Sequence, residues 1–188
     1  MTYTQKSVLI PWIDYRVASV QAALAMLIQI NDWQGTVPSM EIRFDGKLVA
    51  NGSATGYINP VLDIGILQSR VLLEFAGLRY DHKEELAEIG NRKKTDDVCI
   101  EFSGLSKVSV SDAINGLEIP SGRIKQGFVY VLRMANKKLA HMTNGFKPDD
   151  NEIRMMADAF FAIIKVMEHY FYEPLGIERE IFVTVNLG

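Results

Sequence analysis

The sequence predicts a mainly helical α+β protein, a four-helix bundle with a small antiparallel sheet, folded as a single domain over 1–188. Three observations predict this fold class. Apolar residues recur at three- and four-residue steps in four segments, which is the spacing of helices with one buried face. An Asp-Gly pair at 45–46 lies between two short β-prone runs, and this pattern is the strongest short-range signal for a β-hairpin. The composition, 48% hydrophobic and 23% charged, is typical of a compact globular domain.

The first helix and the hairpin occupy the N-terminal quarter of the chain. The helix is predicted from about Asp14, which is placed to cap it, to Asn31. The hairpin follows, with 41–44 and 47–50 as its strands. The apolar stripe that defines the helix consists of Ile13, Val17, Val20, Leu24, Leu27 and Ile28.

The second helix is predicted to open at Asn59-Pro60. Asparagine is a favoured N-cap, and proline is tolerated at the first helical position. Gly77 marks its end. The charged stretch 83–94 is interpreted as a short exposed helix or loop over the bundle, and 98–102 as a buried strand. The predicted buried face of the helix consists of Ile64, Leu67, Val71, Phe75 and Leu78.

Two further helices complete the predicted bundle. The third runs from 120–121 to the Asn-Gly pair at 144–145, which suits the left-handed residue that closes a helix. The fourth starts at 149–152, where an Asp three residues before a Glu is typical of a capping box. Its end is placed at 173–176, and a last short strand is predicted at 181–185.

Several kinds of chemistry are absent from the sequence. One cysteine, Cys99, excludes an intrachain disulfide and a CxxC metal site. The histidines at 82, 141 and 169 have none of the usual zinc spacings, and no GxxxxGK[ST] phosphate loop is present. No apolar run approaches the ~20 residues of a membrane-spanning helix, and no secretory leader is recognisable. We expect a cytoplasmic protein without a metal, a cofactor or a membrane partner.

The clearest functional signal is the stretch 119–148, which contains six basic residues and no Asp or Glu. Because the whole chain has a net charge of −3 and this stretch contributes +6, the remaining residues sum to −9. Such segregation builds a local positive field that suits an anionic ligand or a phosphate backbone. On an α-helix, Arg133, Lys137 and His141 follow at four-residue steps and share one stripe. The predicted ligand-binding residues are Arg123, Lys125, Lys137, Lys138 and Lys147, with Arg133 as the sixth basic residue.

The segment 136–141, Asn-Lys-Lys-Leu-Ala-His, resembles a motif of the HEPN superfamily. These proteins are helical bundles in which an arginine stands four to six residues before a histidine, as in R-N-x-x-A-H. For the members that cleave RNA, the resemblance implies a homodimer whose Arg and His sites face each other across the interface. His141 matches directly, Asn136 takes the place of the arginine, and Arg133 is a substitute eight residues before the histidine. The resemblance thus implies these three residues as catalytic, in a binding module or a weak endoribonuclease that lacks the bidentate arginine clamp.

The same residues also fit roles other than RNA cleavage, and the sequence leaves these roles open. The basic side chains are also expected to pair with the acids of 84–88 or with Asp158, and His141 can satisfy the last carbonyls of its helix. A non-enzymatic scaffold that self-associates as a dimer, or that binds an acidic protein, needs no more than such a charged face. A small-anion sensor or enzyme would use His141 and Arg133 on a carboxylate or a phosphate.

Overall fold

The computed structural model describes residues 3–31, 33, 36–81, 84–90, 98–138 and 149–178. The mainly helical α+β class and the antiparallel hairpin are confirmed. The main elements are α1 (Tyr3–Asn31), β1 (Ser39–Phe44), β2 (Lys47–Ser53), α2 (Thr55–Ala76), β3 (Leu78–Tyr80), β4 (Leu86–Glu88), α3 (Val110–Ile114), α4 (Ser121–Arg133) and α5 (Asp150–Met167). The irregular helical turns are a 3₁₀ turn at Ile100–Ser103, a π turn at Met134–Lys138 after α4, and a π turn at Glu168–Tyr172 followed by a 3₁₀ turn at Glu173–Leu175 after α5.

The four long helices pack closely because two glycines lie where helices cross. α1 packs against α2 and α5, and α4 packs against α5. A Cβ at Gly65 of α2 would overlap the Cβ of Ala23 on α1, and a Cβ at Gly127 of α4 would lie 2.7 Å from the carbonyl oxygen of Met155. Neither crossing has room for a larger residue. In the part of the chain that the structure describes, no helix has both the length and the apolar character needed to cross a membrane.

The two sheets are separate hairpins. β1 pairs with β2 across Asp45-Gly46, both with positive φ, as the sequence predicts for this turn. The second hairpin, in which β3 pairs with β4, was not predicted, and β4 lies inside the stretch 83–94 that was assigned to an exposed helix or loop. That assignment is wrong for 86–88. Three-residue strands carry too little periodic pattern to be recognised, and here the burial of Leu78 and Leu86 specifies them.

Two helices begin earlier than predicted. α1 starts at Tyr3, so Asp14 is not its cap; the Asp14 carboxylate instead accepts a 2.6 Å hydrogen bond from the Tyr172 hydroxyl. α2 starts at Thr55 and contains Pro60, although proline removes one helical hydrogen bond. The extra first turn places Ile58 in the core, where it is 3% exposed.

The strand predicted at 98–102 is also wrong. Ile100–Ser103 forms a 3₁₀ turn that Gly104 closes with a φ of 82°. Cys99 is buried, as the sequence predicts.

The remaining helix boundaries follow their local signals. The capping box is confirmed: the Glu152 N–H donates to Asp149 at 2.8 Å, and the Asp149 N–H donates to Glu152 at 3.2 Å. Gly77 and Gly176 end their helices, as predicted, and both adopt the left-handed conformation. α4 begins at Ser121, whereas the predicted end of this helix at 144–145 and the strand at 181–185 lie outside the described residues.

Candidate functional site

Arg123, the first predicted ligand contact, is bound within the protein. Its guanidinium donates two hydrogen bonds of 2.9 Å to the Asp158 carboxylate on α5. Bidentate pairs of this kind fix both partners in orientation. The expectation that basic residues of this helix pair with Asp158 is therefore confirmed for Arg123, whose charge serves the contact between α4 and α5.

Lys125 and Arg133 remain available to solvent. Lys125 is half-buried and Arg133 is exposed, and neither has a carboxylate within ion-pair distance among the described residues. The Arg133 guanidinium lies 5.8 Å from the centre of the Tyr130 ring. Eight helical positions separate the two residues, about 12 Å along the axis. Lys125 and Arg133 are therefore two separate positive charges and do not form one continuous basic surface.

The end of α4 faces an acidic helix start. Tyr130 is buried, and its hydroxyl lies close to the Glu152 carboxylate. Burial raises the pKa of Tyr130, and the negative charge of Glu152 raises it further. The nearby Glu152 carboxylate is committed to capping α5. Arg133 therefore lies beside carboxylates at the α5 N-terminus, and the field there is of mixed sign.

The rest of the predicted basic stripe lies in or beyond the π turn. Asn136 is half-buried within that turn, whereas the side chains of Lys137 and Lys138 lie outside what the structure describes. His141 and Lys147 also lie outside the described residues. A π turn takes up one more residue than an α turn, so the assumption of uninterrupted α-helical spacing after Arg133 is wrong.

A polar cavity of about 310 Å³ lies beside the second π turn. Its charged walls are paired locally: Lys165 binds Glu168 at 2.7 Å, and His169 lies 3.0 Å from Glu173. Within the described residues, no group of three or more acidic, histidine or cysteine side chains is placed to hold a metal ion. Asp112 adds a third carboxylate to the lining, so the acidic side chains outnumber the basic ones and this cavity does not suit the anionic ligand that the sequence suggested.

A larger cavity of about 440 Å³ lies at the other end of the bundle, between the end of α1, the first turns of α2 and the start of α5. Most of its wall is apolar, and Asp63 is the one charged residue in the described lining. Sequence reasoning missed this site because its walls come from segments as distant as Leu27 and Ile153. One signal was available, since Asp63 is the only charged residue between Lys47 and Arg70.

The outer surface of α1 and α2 is apolar over several turns, and we name it the α1–α2 face. Three of its members, Ile64, Leu67 and Val71, were predicted as the buried side of the second helix, but each is between 36% and 40% exposed. The prediction is confirmed for Phe75 and Leu78, which are buried, and is wrong for the other three, because α2 has a second apolar stripe that packs into the core and includes Ile58 and Ile66. The α1–α2 face consists of Val8, Trp12 and Tyr15 on α1 and Tyr57, Ile64, Leu67 and Val71 on α2.

Arg16 joins the two halves of the α1–α2 face. Its guanidinium donates a hydrogen bond to the Gln68 side chain on α2 and lies 5.7 Å from the centre of the Trp12 ring on α1. Gln68 is four residues after Ile64 and three before Val71, so it adjoins both on the helix surface. The apolar residues of the two helices therefore form one surface.

Comparisons with known protein families, with characterised proteins and with solved structures find no match for this chain. The resemblance of 136–141 to the HEPN motif thus stays an expectation from the sequence. Functional proposals for this protein rest on its own residues and their geometry.

Proposed function

We propose that this protein is a helical interaction module that forms a homodimer through the α1–α2 face. One observation carries the proposal: seven large apolar side chains on two adjoining helices are between 36% and 61% exposed. Single exposed apolar residues are ordinary on protein surfaces, but a continuous patch is a mark of an interaction site.

The size of the α1–α2 face fits a dimer interface. Large side chains present roughly 150–250 Å² when fully exposed, so seven at about half exposure leave on the order of 600 Å² of apolar surface. A typical specific interface covers about 800 Å² on each partner, including its polar rim. The face is thus large enough to form the centre of such an interface.

The chemistry of the face favours a second copy of the chain as the partner. None of its seven residues is charged, so the apolar surface of a second copy matches it, and the one guanidinium between its halves, that of Arg16, is hydrogen-bonded to Gln68. A two-fold axis over α1 and α2 would place two helix pairs against each other, which is the arrangement of a four-helix interface. Trp12 and Tyr15, with Arg16 between the helices, are of the residue types that dominate binding energies.

Trp12→Glu is the direct test. Light scattering should give the wild-type protein twice the chain mass of 21.1 kDa at micromolar concentration. The variant should dissociate at least about 30-fold more readily, because a buried aromatic anchor contributes ~2 kcal/mol or more and the new carboxylate would be desolvated. Phe102→Glu is the matched control, since Phe102 is 48% exposed and lies outside the face. A monomeric wild type, or a dimer that both variants leave equally intact, would contradict the proposal.

A second candidate function is RNA association at the end of α4, as the HEPN-like motif implies. It is supported by Arg133, an exposed guanidinium without an ion-pair partner among the described residues, at the junction with a π turn. Turns of this type occur often at functional sites. A homodimer would also suit this function, so the two proposals do not compete.

RNA binding is tested by fluorescence anisotropy with a labelled single-stranded RNA over a range of salt concentrations. Arg133→Ala should weaken binding several-fold for all sequences and reduce the slope of log affinity against log salt by about one. Arg79→Ala removes the same charge from an exposed position on strand β3 and should leave binding unchanged. Equal losses in both variants would mean that only net charge matters, and no binding at low salt would end this candidate.

A further inference from the structure

The 440 Å³ cavity has the size and the walls of a small-molecule site. Pockets of about 300–1,000 Å³ with apolar walls and a few polar groups are typical of such sites. Leu27 and Ile30 of α1, Leu62 of α2 and Ile153 of α5 supply apolar walls, and Trp33 supplies an aromatic one. The cavity lies outside the α1–α2 face and does not contain Arg133, so neither proposed function explains it.

Asp63 sets the charge preference of the cavity. No hydrogen bond and no ion pair satisfies its carboxylate among the described residues. Partial burial raises the pKa of Asp63, and no cation within the described ranges acts to lower it. A partly buried carboxylate that lacks a partner is destabilised, and a positively charged ligand would remove that penalty.

The C-terminal end of α1 adds to the same preference. The cavity lies at the C-terminus of α1, the negative end of the helix dipole, and the last turn of α1 contains no basic side chain. The N-terminus of α2, at Thr55, also lines the cavity and contributes positive partial charge, which acts against this preference. Asp63 is eight residues further along α2, about 12 Å away, and its full charge exceeds the half charge of a helix end.

We propose that this cavity binds a small organic cation with an apolar body, an alkylammonium compound, whose charged end pairs with Asp63 and whose chain lies against Leu62, Ile30 and Trp33. The Asn59 side chain, also in the wall, offers an amide oxygen as a second acceptor for the ammonium group. The aromatic ring of Trp33 suits both an apolar chain and a nearby cation. The small-anion site that the sequence left open has the opposite charge requirement.

Three probes of equal length separate charge from hydrophobicity: hexylammonium, 1-hexanol and hexanoate. Titration calorimetry should rank their affinities in that order, with the ammonium at least about tenfold tighter than the alcohol, because an ion pair replaces a neutral contact. Fluorescence in a Trp12→Phe background should change on binding, since Trp33 is then the single tryptophan. Equal affinities for the ammonium and the alcohol, or no binding at millimolar concentration, would overturn the proposal.

Asp63→Asn tests the pairing directly. It should weaken hexylammonium binding about tenfold and leave 1-hexanol binding unchanged, while the protein stays at least as stable as the wild type because the lost carboxylate had no partner. Glu118→Gln removes the same charge from an exposed position outside the cavity lining and should leave both affinities unchanged. Ile30→Trp fills the cavity and should abolish binding of all three probes. Unchanged ammonium binding in Asp63→Asn would overturn the assignment.

Discussion

Gly65→Ala is expected to lower the free energy of unfolding by about 2–3 kcal/mol. Alanine is the better helix former by ~1 kcal/mol, so on a free helix surface the sign would be the opposite. Here the added methyl group would overlap the Cβ of Ala23 and lie 3.5 Å from the ring of Phe160. The Cβ of Ala23 is fixed to the backbone and cannot rotate away. Relief therefore requires α1 and α2 to separate, which disturbs the packing of both helices.

Gly56→Ala is the matched control for this prediction. Gly56 lies in the first turn of α2, and a Cβ there would meet no atom within 4 Å. This variant should be as stable as the wild type or slightly more stable. Thermal unfolding should show Gly65→Ala roughly 5–10 °C below the wild type, given the size of the chain. If both variants changed stability equally, the close crossing of α1 and α2 would be disproved.

Phe171→Ala is expected to cost about 3–5 kcal/mol of stability. Phe171 is fully buried in the π turn after α5, where its ring meets Phe75 edge to face at 5.4 Å and Tyr172 at 5.1 Å. Truncation would leave a cavity and remove two aromatic contacts. The chain after the turn would also lose the contact that holds it against α2.

Urea unfolding would measure this loss as a lower midpoint with an unchanged slope. Phe102→Ala removes the same side chain from a position that is 48% exposed, and it should cost less than about 1 kcal/mol. A loss at Phe171 as small as that at Phe102 would show that the π turn does not pack into the core.

Features that depend on neighbouring residues were predictable from the sequence. The capping box at Asp149 needs only a Glu three positions later, and Gly77 ends its helix because the left-handed conformation is easy for glycine. The Asp45-Gly46 turn is equally local. In each case the physical cause lies within a few residues of the feature itself.

Features that depend on distant contacts were not predictable. Asp14 is of a residue type that often caps helices, but its hydrogen-bond partner is Tyr172, 158 residues later in the chain. The periodicity of α2 shows that the helix is amphipathic but does not show which of its two apolar stripes packs into the core. Leu67 was therefore predicted to be buried, although it is exposed. The pairing of Arg123 with Asp158 was foreseen only as one of several options, because sequence spacing does not say which helices are neighbours.

The candidate sites also divide into features with local causes, which the sequence shows, and features that depend on distant contacts, which it does not. The basic residues of α4 were visible because they cluster in sequence, although their clustering did not give them a common surface. The cavity around Asp63 was invisible because it exists only where three helices meet. Its chemistry depends on one carboxylate, which becomes informative once its surroundings are known to be apolar.

The π turn at Glu168–Tyr172 affects how this chain can be compared with distant relatives. A helix with such a turn has one residue more than an uninterrupted α-helix of equal span. A homologue with a regular helix here would align with this protein only through a single-residue gap inside a helix, where alignments rarely allow one. Without that gap, every residue after the turn would be aligned one position out of register. One position corresponds to about 100° of rotation around the helix. The buried Tyr172 would then be aligned with a residue on another side of the homologue's helix.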